Sequence, residues 1–307
     1  MGMLTIRVPA TTANIGPGFD CLGLALELFN TLEVEAGEIT RIQVVGEGAE
    51  KLPCSQDNLV YRALLRYYEE IASVPPPLQL KMKNRIPLAR GLGSSAAAIV
   101  AGLLAAHCLS GQSLPREKLL DLAVELEGHP DNVAPALLGG LVISTAKSTG
   151  PGYHYLQLPP PRELQAVVCI PNFQVATEAA RKVLPSQISF SDAVHNLGRV
   201  ALLLGAFTSK RWDLLSAALE DRLHQPYRKS LVPGLDRALA WALEAGALGA
   251  ALSGSGPTVI AFVKDNAAGV GRAMEEAFAS ANIEAYSLTL GFNVGGAETH
   301  PGTVNNQ

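Results

Sequence analysis

The stretch that decides the fold is Pro87–Ala106, PLARGLGSSAAAIVAGLLAA, in which a glycine-containing loop runs directly into a long apolar helix. Gly91 and Gly93 allow positive φ angles and a close approach of the backbone to a ligand. The first turn of the helix offers unpaired N–H groups at the positive end of the helix dipole. Together these features predict an anion site suited to phosphate.

Two adjacent hydroxyls stand at this junction. Ser94 and Ser95 can cap the helix, bind phosphate oxygens or ligate Mg²⁺, which prefers oxygen donors. A capped helix without a ligand is the alternative, although one serine would suffice for it. The spacing matches neither the P-loop, G-x-x-x-x-G-K-[ST], nor the dinucleotide fingerprint, G-x-G-x-x-G.

The composition excludes several classes of protein. The 307 residues include 24 basic and 28 acidic side chains, so the net charge is −4 and gives no electrostatic footprint for nucleic acid. The longest apolar run is too short to span a bilayer, and the N-terminal residues carry no signal pattern. Four dispersed cysteines argue against a disulfide or zinc framework. We therefore expect a cytoplasmic protein with no nucleic-acid or membrane partner.

Length and pattern predict an α+β fold in two domains. Residues 148–163, STGPGYHYLQLPPPRE, are predicted as a turn-rich break, and the prolines at 159–161 within it mark the boundary, which gives domains of residues 1–160 and 161–307. Interleaved strands and helices after residue 160 predict a ferredoxin-like layer. A helix is predicted over residues 212–223, and the Gly-rich tail at 295–307 is expected to fray.

Two further segments offer polar side chains in loops. Residues 9–26, PATTANIGPGFDCLGLAL, follow the first strand as a Gly/Pro-rich loop with Asn14 and Asp20. An amide and a carboxylate there could grip a small polar substrate, and an Asx turn is the alternative. Residues 125–140, ELEGHPDNVAPALLGG, form a short polar loop after a helix, with Glu127, His129, Asp131 and Asn132.

The position of Glu127 favours a cation nearby. A carboxylate at the end of a helix opposes the dipole unless it meets a cation such as Mg²⁺, although it could be a surface acid on a frayed turn. Residues 251–262, ALSGSGPTVIAF, set small residues between two apolar strands, either as a hairpin turn or for close approach to a ligand.

In this order, the three segments around residues 9–26, 87–97 and 253–262 resemble the motifs of the GHMP small-molecule kinases. Within that family the chain most resembles the members that phosphorylate L-homoserine, on the segments NIGPGFD, EGHPDNVAP and PNFQVATEAARKVLP. The resemblance implies an N-terminal domain like domain 2 of ribosomal protein S5 and a C-terminal ferredoxin-like domain. It implies ATP and Mg²⁺ as cofactors, L-homoserine as the small-molecule substrate, threonine biosynthesis as the context, and a homodimer.

The resemblance also implies residue roles. The residues that would surround the ATP phosphates are Pro87, Leu88, Ala89, Arg90, Gly91, Leu92, Gly93, Ser94, Ser95, Ala96 and Ala97. Asn58 would approach the adenine. Ser95 and Glu127 would hold Mg²⁺, with Ser94 as the alternative hydroxyl.

The implied substrate site draws on both halves of the chain. The residues expected around homoserine are Asn14, Asp20, His129 and Asn132, with Arg181 and Arg228 clamping its carboxylate. An amino acid presents an ammonium and a carboxylate, so an acid and a guanidinium fork suit it. The candidate catalytic residues are Asn14, Thr177 near the reacting hydroxyl, and Asp131.

Two questions stay open at this level. Asp131 is either a general base, or transfer proceeds without one, which a loose transition state permits. The activity that the resemblance implies is phosphorylation of L-homoserine, with a related kinase of another small alcohol or a non-catalytic nucleotide sensor as alternatives.

Overall fold

The first sheet is organised around β2, a long strand that pairs antiparallel with β1 along its whole length. The computed structural model describes residues 2–301. The strands are β1 (Leu4–Ala13), β2 (Leu22–Ala36), β3 (Arg41–Gly46), β4 (Leu78–Asn84), β5 (Leu141–Ala146), β6 (Tyr153–Leu158), β7 (Gln165–Pro171), β8 (Gly249–Leu252), β9 (Val259–Val263), β10 (Ala285–Leu290) and β11 (Glu298–Pro301). The α-helices are α1 (Leu59–Glu70), α2 (Ser94–Leu109), α3 (Arg116–Glu127), α4 (Pro130–Leu138), α5 (Thr177–Lys182), α6 (Phe190–Ser209), α7 (Leu215–Ala218), α8 (Gln225–Arg228), α9 (Leu235–Glu244) and α10 (Ala267–Ala279).

Strand order in the first sheet is β11-β1-β2-β4-β3, and β5 pairs with the start of β2 and with β6. Neighbouring strands are antiparallel except β3 and β4. Residues 9–13 and 22–26 were predicted as loop but belong to β1 and β2, because a bulge between Pro9 and Ala10 lets the two strands stay paired while they bend.

The second sheet has the order β10-β7-β9-β8, entirely antiparallel. In chain order these are the fourth, first, third and second strands, which is the split β-α-β-β-α-β arrangement. Strand β7 is buried on both faces. Val168 and Ile170 join the large core with the first sheet, whereas Val167 and Cys169 join a smaller core with α9 and α10. The α+β prediction is confirmed.

Three local predictions are wrong. Residues 130–138 form α4 instead of a loop, because Pro130 suits the first helical turn and the apolar side chains after it are buried. The break around residues 148–163 contains strand β6, paired with β5. Within the tail, residues 298–301 pair with β1 as β11 and do not fray; the rest of that prediction, at 302–307, lies outside the described residues.

The predicted helix over residues 212–223 breaks before its end. A 3₁₀ turn at Trp212–Leu214 leads into α7, which stops at Ala218. The carboxylate of Asp221 accepts the backbone N–H groups of Leu223, His224 and Gln225 at 2.7–2.9 Å. A side chain that takes these donors competes with the helix, and the break sets the direction of α8.

The predicted division at residue 160 remains a proposal. The chain passes from the first sheet to the second between Leu158 and Gln165, yet β11 returns to the first sheet. Across residues 2–301, no helix is both long and apolar enough to cross a membrane.

Candidate active site

The predicted site residues converge on one cleft of about 310 Å³. Those that line it are Asn14, Asp20, Asn58, Leu88, Ala89, Arg90, Gly91, Leu92, Gly93, Ser94, Ser95, Glu127, His129, Asp131, Asn132, Thr177, Arg181 and Arg228. Pro87, Ala96 and Ala97 do not line the cleft, because they are buried behind the loop.

The glycine loop presents free backbone donors to this cleft. Gly93, with φ +69°, precedes α2 without a capping side chain, so neither Ser94 nor Ser95 is used as a cap. The first intrahelical hydrogen bond runs from the Ala97 N–H to the Gly93 carbonyl at 2.9 Å. The N–H groups ahead of Ala97 lie at the positive end of a helix from Ser94 to Leu109, which suits a phosphate.

Both loop glycines are also required by packing. A Cβ on Gly91 would lie 2.1 Å from the Ser253 carbonyl oxygen, and one on Gly93 would lie 2.0 Å from Thr11 Oγ1. The Ser253 hydroxyl donates to the Gly91 carbonyl at 2.6 Å. The turn between β8 and β9 therefore holds the loop that contains Gly91 and Gly93 in place. The same turn lines the cleft through Gly254 and Ser255.

Ser95 and Glu127 meet across the mouth of the loop. The Ser95 hydroxyl donates to Glu127 Oε1 at 2.7 Å, and Gly128 ends α3 directly after the glutamate with φ +90°. Burial raises the pKa of Glu127. Among the described residues no lysine or arginine forms an ion pair with it. Two oxygen donors with an uncompensated charge fit Mg²⁺.

At the other end of the cleft, Asp20 and Arg181 form a two-point ion pair. Arg181 Nη1 and Nη2 donate to the two carboxylate oxygens of Asp20 at 3.0 and 2.7 Å. Asn14 orients the acid, since its Oδ1 accepts the Asp20 N–H at 3.1 Å while its Nδ2 donates to the Gly254 carbonyl at 3.1 Å. The two residues that were expected to contact opposite charges of a substrate therefore contact each other here.

Arg228 is a buried cation, 2% exposed. It donates to the carbonyls of Ala180 and Gly254 at 3.2 and 2.9 Å, and it lies 5.3 Å from the centre of the Phe19 ring. Burial and the nearby Arg181 charge lower its pKa to about 10, so it is still charged at neutral pH. No carboxylate of the described residues forms an ion pair with it. The site is thus ready for an anionic group from a ligand.

His129 and Asp131 form a close pair at the start of α4. The Nδ1 atom of His129 lies 2.5 Å from Asp131 Oδ1, and the Asp131 side chain is almost fully buried. Burial opposes the charged imidazole, but the hydrogen bond and charge of Asp131 outweigh it and raise the pKa of His129. Next to this pair, Asn132 Oδ1 accepts the Thr11 hydroxyl at 2.8 Å.

Thr177 begins α5 with an exposed side chain beside the loop. The N–H of Val175 donates to the Ala89 carbonyl at 3.1 Å, which ties this segment to the phosphate loop. Thr177 and Ala89 therefore belong to the same wall of the cleft.

Asn58 is a helix cap as well as part of the wall. Its Oδ1 accepts the Val60 N–H at 3.0 Å, and its Nδ2 donates to the Pro53 carbonyl at 2.7 Å. Sequence reasoning missed the rest of this wall, which consists of Asn30, Leu52, Leu59, Met82 and Asn84. A polar amide inside the apolar pattern of β2, at Asn30, is the signal that was available.

Comparisons with known proteins agree with the family resemblance of the sequence motifs. Residues 58–140 match the model of the GHMP kinases N terminal domain, and residues 203–280 match the GHMP kinases C terminal model. A homoserine kinase of Carboxydothermus hydrogenoformans is 51% identical over 286 residues, which cover 92% of each chain. One from Moorella thermoacetica is 48% identical, covering 92% of this chain and 95% of its own.

Among solved structures, the homoserine kinase of Cytophaga hutchinsonii superposes with a TM-score of 0.87 at 32% identity, covering 98% of both chains. This likeness over nearly the whole chain confirms the two-domain fold that the sequence motifs implied.

Proposed function

Because this chain belongs to the GHMP kinase family, we propose that it transfers the γ-phosphoryl group of ATP to the side-chain hydroxyl of L-homoserine. The products are O-phospho-L-homoserine and ADP, and the step serves threonine biosynthesis. The observation that carries this substrate is the buried guanidinium of Arg228, which has no carboxylate partner among the described residues and lies near the Asp20–Arg181 pair. An alcohol without an amino-acid head group would not need these charges.

The nucleotide end of the cleft supports binding of ATP. The N–H groups at the start of α2 would bind the phosphates, and the wall near Asn58 would contact the adenine. Ser95 and Glu127 are the residues that would hold Mg²⁺. When bound there, Mg²⁺ offsets negative charge on the phosphates.

The head group of homoserine would bind between the two sheets. Asp20 would accept the ammonium, and Arg181 and Arg228 would donate to the carboxylate. For both contacts to form, the substrate has to separate Asp20 from Arg181. One ion pair within the protein is then replaced by two, between Asp20 and the substrate ammonium and between Arg181 and the substrate carboxylate.

The remaining polar groups would orient the side-chain hydroxyl. Asn14, Thr177, His129 and Asn132 surround the space between the head-group site and the phosphate loop. Two of them are already held in place, since Asn14 is fixed by Gly254 and Asn132 by Thr11. Fixed donors and acceptors keep the hydroxyl close to the γ-phosphorus, and closeness with correct alignment supplies much of the rate of phosphoryl transfer.

We propose direct in-line transfer in which Asp131 is not a dedicated base: the O–P bond to homoserine forms as the bond to ADP breaks, and the hydroxyl proton leaves to an oxygen of the transferred phosphoryl group or to water. The carboxylate oxygen of Asp131 that faces His129 is already hydrogen-bonded at 2.5 Å, which favours an electrostatic and positioning role. We further propose that the enzyme works in the cytoplasm as a homodimer.

The test is ADP release with MgATP and a panel of L-homoserine, L-serine, mevalonate, galactose and shikimate. We expect strong turnover with L-homoserine alone. Asp20→Asn should raise the KM for L-homoserine by about 10- to 100-fold and leave the KM for ATP unchanged, because a charge-assisted hydrogen bond contributes about 1.5–3 kcal/mol. Turnover with another alcohol would overturn the substrate, and ATP binding without turnover would indicate a nucleotide sensor.

A further inference from the structure

Helix α6 carries an exposed apolar face along most of its length. Phe190, Val194 and Leu197 are 84%, 52% and 72% exposed, although side chains of this kind are normally buried. Small exposed residues occupy the remaining positions of the same face, and no residue on it is charged. Its members are Phe190, Val194, Leu197, Gly198, Ala201 and Gly205.

The opposite side of α6 packs against the rest of the chain. Asn196, Leu203, Ala206 and Phe207 are buried there. Around Gly198 and Gly205, a Cβ would meet no atom within 4 Å, so the apolar face borders open space. A contiguous, uncharged and apolar face that is exposed to solvent is typical of a site of protein association.

The large and small residues of this face alternate in a way that makes it complementary to itself. If a second copy of α6 packs antiparallel, with a twofold axis between residues 197 and 198, each large side chain meets a small residue of the other copy. The facing pairs are Phe190 with Gly205, Val194 with Ala201, and Leu197 with Gly198. All three pairs are centred on the same point, so one symmetry axis produces them together.

We propose that this face of α6 is the interface of the homodimer, occupied by a second copy of this chain. Small residues let the two helix backbones approach, and large residues fill the notches that they leave. Charge is complementary as well, because antiparallel packing sets the positive N-terminal end of each α6 dipole beside the negative C-terminal end of the other. A heterologous partner would have no reason to match this internal symmetry.

The size of the face sets the expected affinity. From Phe190 to Gly205 the helix runs about 22 Å. A single pair of helices of this length is at the low end of the area that specific interfaces bury, so we expect dissociation in the micromolar range.

The inference rests on the homodimer proposed above but not on the kinase activity. Sedimentation velocity over a range of concentrations gives the oligomeric state of the full chain, and ADP release in the same samples reports folding and catalysis. Leu197→Lys should raise the dimer dissociation constant at least about tenfold, since the two copies of position 197 flank the axis and would bring two like charges close together. Leu197→Glu should do the same.

Mixing the two variants is the decisive measurement. A mixture of Leu197→Lys and Leu197→Glu chains should dimerise again, because only a twofold axis between residues 197 and 198 brings the two copies of position 197 near each other. Val74→Lys is the matched control, since Val74 is 84% exposed elsewhere on the surface and should leave dimerisation unchanged. Kinase activity of the monomeric variants should persist.

Each other outcome contradicts a defined part of the proposal. A parent protein that is monomeric at all concentrations would overturn the homodimer itself. A dimer that is insensitive to both changes at Leu197 would overturn α6 as its interface. Two monomeric variants that fail to associate when mixed would overturn the twofold packing.

Discussion

Arg228 Nη1 lies 3.3 Å from His224 Nδ1 in the buried floor of the cleft. A guanidinium only donates hydrogen bonds, so Nδ1 of His224 accepts and carries no proton. The proton is then on Nε2, which donates to the Gly16 carbonyl at 2.7 Å. His224 is thus a neutral linker between Arg228 and the loop that carries Asn14, with Phe19 stacked on its ring.

The first prediction concerns the pH dependence of stability that His224 causes. Burial, with the charge of Arg228 adding to it, lowers the pKa of His224 in the folded state. Below about pH 6.5, His224 therefore binds a proton in the unfolded chain and stays neutral in the folded protein. The free energy of unfolding falls as the pH falls. His224→Gln should flatten this slope between about pH 5 and 6.5, as measured by urea unfolding.

His154→Gln is the control, since His154 is exposed on β6. The same change at His129 should act in the opposite sense, because its raised pKa gives stability below about pH 6.5 that is lost as the pH rises. An unchanged acid slope in His224→Gln would contradict the neutral tautomer.

The second prediction separates steric from conformational strain in the phosphate loop. Gly93 and Gly111 share a φ of +69°, but a Cβ at Gly111 would meet nothing within 4 Å. Gly111→Ala should cost about 1–2 kcal/mol of unfolding free energy from the left-handed backbone alone. Gly93→Ala should cost a further 1–3 kcal/mol, approximately, by overpacking against Thr11.

Only the change at Gly93 should also raise the KM for ATP. The new methyl group would displace the Thr11 hydroxyl, which donates to Asn132 at the edge of the cleft. Equal losses of stability in the two variants, measured by urea unfolding, would show that Thr11 yields without cost.

The third prediction is that Glu127 lowers stability in exchange for activity. Burial raises the pKa of its carboxyl, so the charged form is disfavoured in the folded protein at neutral pH. Glu127→Gln should therefore increase the free energy of unfolding at pH 7. It should lower kcat at least about 100-fold, since even outer partners of metal ligands matter by 10- to 100-fold.

Calorimetry of ADP binding with and without Mg²⁺ tests the metal separately from turnover. Mg²⁺ should tighten ADP binding in the parent and not in Glu127→Gln. Glu125→Gln is the matched control on the same helix, because Glu125 pairs with Arg66 at 2.9 Å on the surface. If Mg²⁺ tightens ADP binding equally in both variants, Glu127 is not a ligand.

The fourth prediction decides between the two roles of Asp131. Asp131→Asn should keep kcat within about tenfold of the parent, because transfer depends mainly on positioning and charge neutralisation. Removal of the carboxylate should also lower the pKa of His129, which Asp131 raises. Any step in the kcat–pH profile that depends on His129 should move to lower pH. A collapse of kcat with unchanged binding of homoserine would identify Asp131 as the base.

The sequence alone predicted those parts of the fold whose signals are local. The helix that follows the glycine loop, the glycines at its start and the three motifs each depend on a few neighbouring residues. It missed the first part of the long strand β2 and the strand β11, because their pairing depends on residues far away in the chain. Helix α4 was missed because a polar start concealed an apolar continuation.

For the site, the motifs and the family resemblance that they carry indicated which groups gather, and the tertiary structure decided how they are paired. Gly93 could be predicted from its motif, but the contact with Thr11 that excludes a Cβ could not. The chemistry of Asp20 and Arg228 suggested a head-group site. Only folding decided that Asp20 contacts Arg181 and that Arg228 is buried against His224, since hydrogen bonds between residues far apart in sequence depend on how the two sheets pack together.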